Sequence, residues 1–274
     1  MNRAVITSAI DAKQLNAARL LAYSIKIRHP KLAVNIMTNE EFDNDIFDNV
    51  FALPFGQLYT VRENDYQLYW ASPADSNLFI DCFSIVKREL DSIFEYCEDH
   101  HEMCISSFKT DYKGLPFVDR TKLYFSEDNL TNVNSGIFYW KKDSDEALKY
   151  FKMADPIMQD WRNSYPGFIS KKHMPDAYDS DLAHACVISA LGNKEEVLPV
   201  FPEVLKTVDM RMPVQYFAKA EEGWTNYLNT WITSDSKLKI QNYAMTDIVN
   251  YHEADFVTEN MLDKHGSYYR HISS

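Results

Sequence analysis

The sequence predicts an α/β fold, a single domain with a mostly parallel central sheet and helices on both faces. Three observations predict it. Short apolar runs of strand length alternate with stretches whose apolar residues recur at helical spacing. The chain opens on a strand, a helix and a second strand in direct succession, which is a βαβ unit. Its 274 residues, 46% of them hydrophobic, are enough to bury one sizeable core.

The elements follow in order. Ala4-Val5-Ile6-Thr7-Ser8-Ala9-Ile10 is an apolar run of the kind a buried parallel strand shows. Residues 14–28 then place Leu15, Ala18, Leu21, Ala22 and Ile25 at helical spacing, and Pro30 stops that helix. Ala33-Val34-Asn35-Ile36-Met37-Thr38 is the second strand, and residues 40–48 form an acidic connection to a third, Val50-Phe51-Ala52-Leu53. Residues 66–71 read as a helix end stopped by Pro73. Asn77-Leu78-Phe79-Ile80-Asp81 is the sharpest strand signal, with a helix expected over residues 86–98. Strands are expected at 103–108 and 135–140, with a loop holding Gly114 and Pro116 between them. Helices are expected at 145–154 and 180–191, and an amphipathic segment at 224–232. Residues 1–200 form the expected ligand-binding core. Residues 201–274 are expected to pack on it and close a second substrate's site.

Composition removes some functions. With 28 basic residues against 40 acidic ones the net charge is −12, which argues against a general nucleic-acid binder. No run of about 18 apolar residues occurs, so no membrane span is expected. Cys82, Cys97, Cys104 and Cys186 lack framework spacing and read as reduced thiols, which points to a cytoplasmic protein.

Four short signals in fixed order carry chemistry. Thr7, Ser8 and Ala9 end the first strand, where open α/β sheets bind ligands, and Asp11 follows them. Asp81-Cys82-Phe83 ends the strong strand at residue 81. Asn134-Ser135-Gly136 opens another strand, with a glycine that lets backbone approach closely. Asp179-Ser180-Asp181 begins a helix, where Asp179 or Ser180 suffices as an N-cap and Asp181 could act as a base. A late Asn250-Tyr251-His252 is a fifth, weaker signal.

In this order and spacing the signals resemble the GT-A type of nucleotide-sugar glycosyltransferase, related to glycogenin and galactosyltransferases, over residues 3 to 200. The resemblance implies a Rossmann-like domain that moves a sugar from a nucleoside diphosphate sugar to an acceptor hydroxyl. It implies donor contacts from Thr7, Ser8, Ala9, Asp11, Arg62, Asp81, Asn134, Ser135 and Gly136. Asp181, Asp179 and Asn134 become the catalytic candidates. It also implies Mn²⁺ or Mg²⁺ held by Asp81 and His252, because a leaving diphosphate needs its charge neutralised. The family pattern is Asp-x-Asp, and here Phe83, which ligates nothing, stands at the second carboxylate. Arg62, Lys87, Lys109 and Arg120 are the basic residues that could neutralise a diphosphate instead. The acceptor implied is a bacterial or viral glycan, with a hydroxylated base in viral DNA as a further option.

Two other classes compete. A sugar-nucleotide-fold protein without turnover would serve as a binding or scaffold subunit, and Phe83 favours it. A phosphatase with Asp81 as nucleophile needs a second acid two residues on, where Phe83 stands. Cys97, His100 or His101, and Cys104 would share one face if helical, but structural zinc gathers ligands from two elements, and a helix end with inward thiols is the simpler expectation. Tyr66, Tyr69, Trp70 and Trp161 could stack on sugars, although aromatics more often fill cores.

Overall fold

The computed structural model describes residues 2–117, 122–210, 230–233, 235–252 and 256–274. The strands are β1 (Arg3–Ser8), β2 (Ala33–Met37), β3 (Asn49–Phe51), β4 (Ser76–Ile80), β5 (Ser84–Val86), β6 (Met103–Ser106), β7 (Lys109–Thr110), β8 (Asn134–Lys141), β9 (Thr207–Asp209), β10 (Thr230–Ile232), β11 (Leu238–Ile240), β12 (Tyr243–Ala244) and β13 (Ile248–Asn250). The helices are α1 (Ala12–Lys26), α2 (Leu68–Ala71), α3 (Asp91–His100), α4 (Leu123–Ser126), α5 (Asp145–Gln159), α6 (Trp161–Ser164), α7 (Ser180–Leu191), α8 (Lys194–Val197) and α9 (Glu259–Ser273).

The main sheet runs β3-β2-β1-β4-β8-β6. β1 pairs in parallel with β2 and β4, and β2 with β3, while β8 lies antiparallel between β4 and β6. This is the mostly parallel α/β sheet that the alternation of elements predicts. Two hydrophobic layers cover its faces. One includes Val5, Leu78, Ile137 and Tyr139 with α1, and the other Ile6, Phe79, Phe138 and Trp140 with α5 and α7. Neighbouring strand residues fall in opposite layers, as a pleat requires.

A second sheet, β5-β13-β9-β7, positions the site. β13 pairs antiparallel with β5 and parallel with β9, so residues beyond 200 are stitched to the segment that follows Asp81. α9 packs on α1, with Tyr269 against Tyr23 at 5.9 Å. Among the described residues, no helix is long and apolar enough to cross a membrane.

Several elements differ from expectation. The helix expected over 86–98 begins only at Asp91, because Ser84–Val86 is recruited as a strand by β13. That partner is distant in sequence, and local pattern carries no trace of it. α5 continues beyond Ala154 through Pro156. The proline's missing N–H and its ring exclude a normal bond to the preceding turn, but the helix runs only to Gln159. Residues 224–229 of the expected amphipathic segment lie outside the described residues, and Thr230–Ile232 is a strand. Tyr66, Tyr69 and Trp161 are buried in the second layer, and Trp70 packs against it. They are core, not a sugar platform. Cys97 and Cys104 fall on α3 and β6 rather than on one helix, and both are buried free thiols.

Phe138 is fully buried and stacks on Phe79 with ring centroids 4.6 Å apart. Phe138→Ala is expected to cost about 3–5 kcal/mol in urea unfolding. A loss below about 1 kcal/mol would show that this layer is not tightly packed.

Candidate functional site

The site is built where β4 ends. Asp81 follows the strand, and its N–H donates to the Gly136 carbonyl at 2.9 Å, which ties it to β8. Phe83 packs towards Tyr251 in the neighbouring sheet, with ring centroids 6.0 Å apart, while its N–H donates to Asp81 Oδ1 at 2.8 Å. The other oxygen of Asp81 accepts from Arg62 Nη1 at 2.7 Å.

Arg62 stands in a helical turn, residues 61–67, opened by a Thr60–Glu63 capping box. Its Nε donates to Asp65 Oδ2 at 2.7 Å and its Nη2 to the Ser135 carbonyl at 2.6 Å. Its guanidinium also lies 4.8 Å from the centre of the Phe79 ring. Burial works against the charge, but Asp65 and then Asp81 outweigh it and hold the guanidinium protonated more firmly than usual. Behind Asp65 lies His184 Nε2 at 3.4 Å, whose Nδ1 sits 2.8 Å from the Tyr150 hydroxyl. Burial lowers the His184 pKa, so this imidazole is neutral.

A second cluster stands at the start of α7. Asp179 is the N-cap, accepting from the Leu182 N–H at 3.1 Å, and it also receives the Tyr124 hydroxyl at 2.5 Å. Asp181 Oδ1 accepts from the Ser135 N–H at 2.8 Å and from its hydroxyl at 2.7 Å. Lys122 joins the two acids, 3.0 Å from Asp179 Oδ1 and 2.8 Å from Asp181 Oδ2. Burial alone would raise the Asp181 pKa, yet Lys122 and then Lys109 hold it well below the usual carboxylate range.

The third cluster comes from the second sheet. Asp209, buried on β9, lies 3.2 Å from His252 Nε2 and 3.5 Å from Lys109 Nζ. His252 adopts a left-handed φ of 63°, uncommon for a residue with a side chain. Asn134 Nδ2 donates to Thr207 Oγ1 at 2.5 Å. Asn250 is buried, and its Oδ1 has no hydrogen-bond partner. Because buried acceptors are normally satisfied, this oxygen marks a place for a ligand donor or water.

These groups surround one cavity of about 200 Å³, lined by Arg62, Asp81, Lys109, Lys122, Asn134, Ser135, Gly136, Ser180, Asp181, Asn250 and His252. Gly136 faces both asparagines: a Cβ there would lie 3.4 Å from Asn134 Oδ1 and from Asn250 Nδ2. Of the residues expected at the site, Arg62, Asp81, Asn134, Ser135, Gly136, Asp181 and His252 meet here. Asp179 stands just behind, as a cap. Thr7 and Ser8 end β1, with Ala9 next, outside the lining, and the hydroxyls of Thr7 and Ser8 are buried without partners. Asp11 caps α1, accepting from Gln14 N–H at 2.8 Å. Lys87 is buried elsewhere, bonded to Ser236, and Arg120 lies outside the described residues. Sequence reasoning missed Lys122 and Asp209. Neither stands in a motif: Lys122 is a single lysine after a mixed-charge stretch, and Asp209 is an acid ending a three-residue strand.

The arrangement bears on a divalent cation. Phe83 offers no ligand, and both oxygens of Asp81 are already engaged. His252 Nε2 faces Asp209, which also faces Lys109. In this arrangement the cavity residues do not fit Mn²⁺ or Mg²⁺. Among the described residues, the one trio of ligand atoms within 4.8 Å of one another is His29, Glu89 and Asp91, which could coordinate a divalent cation. That trio lies between the end of α1 and the start of α3, and none of its members lines the cavity. There His29 Nε2 already receives the Leu90 N–H at 3.0 Å.

No protein-family model and no curated protein matches the chain. Solved structures do. The galactosyltransferase LgtC, in complex with donor and acceptor sugar analogues, matches with a TM-score of 0.50 at 13% identity, over 96% of this chain and 95% of its own. An active-site mutant of the same enzyme gives the same values. The apo-form glycosyltransferase GlyE of Streptococcus pneumoniae TIGR4 matches at 12% identity with a TM-score of 0.48, over 79% of this chain and 48% of GlyE, so the chain spans about half of that protein. The likeness to LgtC places the chain in a class by fold: it is a Rossmann-like α/β protein with a GT-A-like glycosyltransferase architecture.

The Asp181 shift sets an acid limit. Its folded pKa lies below its unfolded one, so its contribution to stability is complete above about pH 4 and is lost as pH falls through the lower folded value. Wild type is therefore expected to lose melting temperature more steeply than Asp181→Asn between about pH 4 and about pH 2. Equal slopes in thermal melts would show that Lys122 does not hold this carboxylate ionised.

Proposed function

We propose that the chain transfers a sugar from a nucleoside diphosphate sugar to an acceptor hydroxyl. What carries this is the meeting of Arg62, Asp81, Asn134, Ser135 and Asp181 in one cavity at the carboxyl end of β4. Asn134 and Asp181 serve the transferred sugar. Asp81 serves the diphosphate side through Arg62, and Thr7, Ser8 and Ala9 face the nucleoside, where the buried hydroxyls of Thr7 and Ser8 await partners. The acceptor is a glycan or another hydroxylated molecule, with a modified DNA base kept as an option.

In the reaction, the bond from the sugar's anomeric carbon to the diphosphate oxygen breaks and its electron pair leaves with the nucleoside diphosphate. The acceptor oxygen bonds to that carbon and loses its proton. Asp181 is a weak proton acceptor, because Ser135 and Lys122 occupy its oxygens and its pKa is depressed. Asp179 is similarly engaged as a cap. The proton therefore passes to the departing phosphate oxygen on the same face, and anomeric configuration is retained. An inverting enzyme would need a free base on the opposite face.

Thermal-shift screening against nucleoside diphosphates and their sugars is expected to find at least one that stabilises the chain, and stabilisation by none would sink the proposal. With the matching donor and an accepted hydroxyl, proton NMR should show the product in the donor's anomeric configuration. An inverted product would remove the assignment of proton transfer to the leaving group. Asn134→Ala is expected to lower kcat/KM by about 10²-fold or more, with melting temperature nearly kept. Binding without transfer would make the chain a sugar-nucleotide-binding subunit.

A further inference from the structure

The cavity's cations are unequally committed. Lys122 faces Asp179 and Asp181, and Arg62 faces Asp65 and Asp81, each within 3.0 Å. Lys109 is held more loosely, 3.5 Å from Asp209 and 5.0 Å from the centre of the Phe117 ring. Arg62 Nη1 carries two N–H groups, and Asp81 receives only one of them. A guanidinium thus stands at the aspartate where a cation bound by an Asp-x-Asp pair would stand, and Phe83 has removed the second ligand of that pair.

Resting on the transfer reading above, we propose that the donor's diphosphate is held by Lys109 and Arg62 with no divalent cation. A diphosphate carries at least two negative charges and competes well with a single carboxylate for Lys109. The displaced Asp209 keeps His252, 3.2 Å away, as its partner. Arg62 stays fixed by Asp65, Asp81 and the Ser135 carbonyl and offers its spare N–H to a phosphate oxygen. Its position costs no reorganisation when the ligand arrives, which is how preorganised charges work. One fixed cation and one loosely held cation take over the charge neutralisation that a metal provides in a metal-bound diphosphate site.

Calorimetric titration of the full chain with UDP, GDP, ADP and CDP separates the outcomes, each run in excess EDTA and in Mn²⁺. The expected result is that one nucleotide binds with the same affinity under both conditions. Lys109→Ala, with an unchanged melting temperature, should bind it about tenfold or more weakly in EDTA. Binding that appears only with Mn²⁺ overturns the metal-free site and leaves the transfer reading standing. Binding in EDTA that Lys109→Ala does not weaken overturns the assignment to Lys109. If no nucleotide binds under either condition, the transfer reading itself fails. Arg62→Lys is a second variant that keeps a charge but loses the fork, and it is also expected to bind more weakly.

Discussion

The guanidinium of Arg62 joins the parts of the site. One side chain reaches Asp65 on its own turn, Asp81 at the end of β4 and the backbone of Ser135 on β8. The last two belong to adjacent antiparallel strands, so their spacing is set by the sheet itself. A planar fork with fixed donor directions can satisfy three such acceptors at once, which a lysine could not. Breaking one arm would leave a buried carboxylate or guanidinium unpaired, and such groups cost several kcal/mol. The site therefore inherits its geometry from the main sheet.

Around that centre the charges alternate. Asp181 and Asp179 answer Lys122, and Asp209 answers Lys109 and His252. The chain as a whole carries −12, yet its cavity is lined by three basic side chains. Net charge averages over every face, whereas binding depends on the few groups inside a cleft. The acids do not simply oppose an anionic ligand. They fix the cations and hold them charged, as the raised Arg62 and Lys122 pKa values show. Burial alone would have pushed both values down.

The second sheet explains how a distant segment enters the site. β13 lies between β5 and β9, and this register brings Asn250, Asp209 and Ser84 side by side. Gly136 faces Asn134 and Asn250 where the two sheets meet. Phe83 packs towards Tyr251 and helps to hold this sheet in place.

Local pattern was enough to mark the main sheet's strands, α1 and α7, because pleat alternation, helical spacing and a cap such as Asp179 are local properties. It also placed Asp81, Asn134, Gly136 and Asp181 at element ends, where open sheets bind ligands. Its apolar pattern could not distinguish Ser84–Val86 as a strand from the start of a helix, since the deciding partner, β13, lies more than 150 residues away. Only the tertiary structure decided which charges pair. Lys122 and Asp209 became site residues, Lys87 did not, and Asp81 met an arginine. Ion pairs form between side chains that packing brings within a few ångströms, and no spacing along the chain encodes that distance.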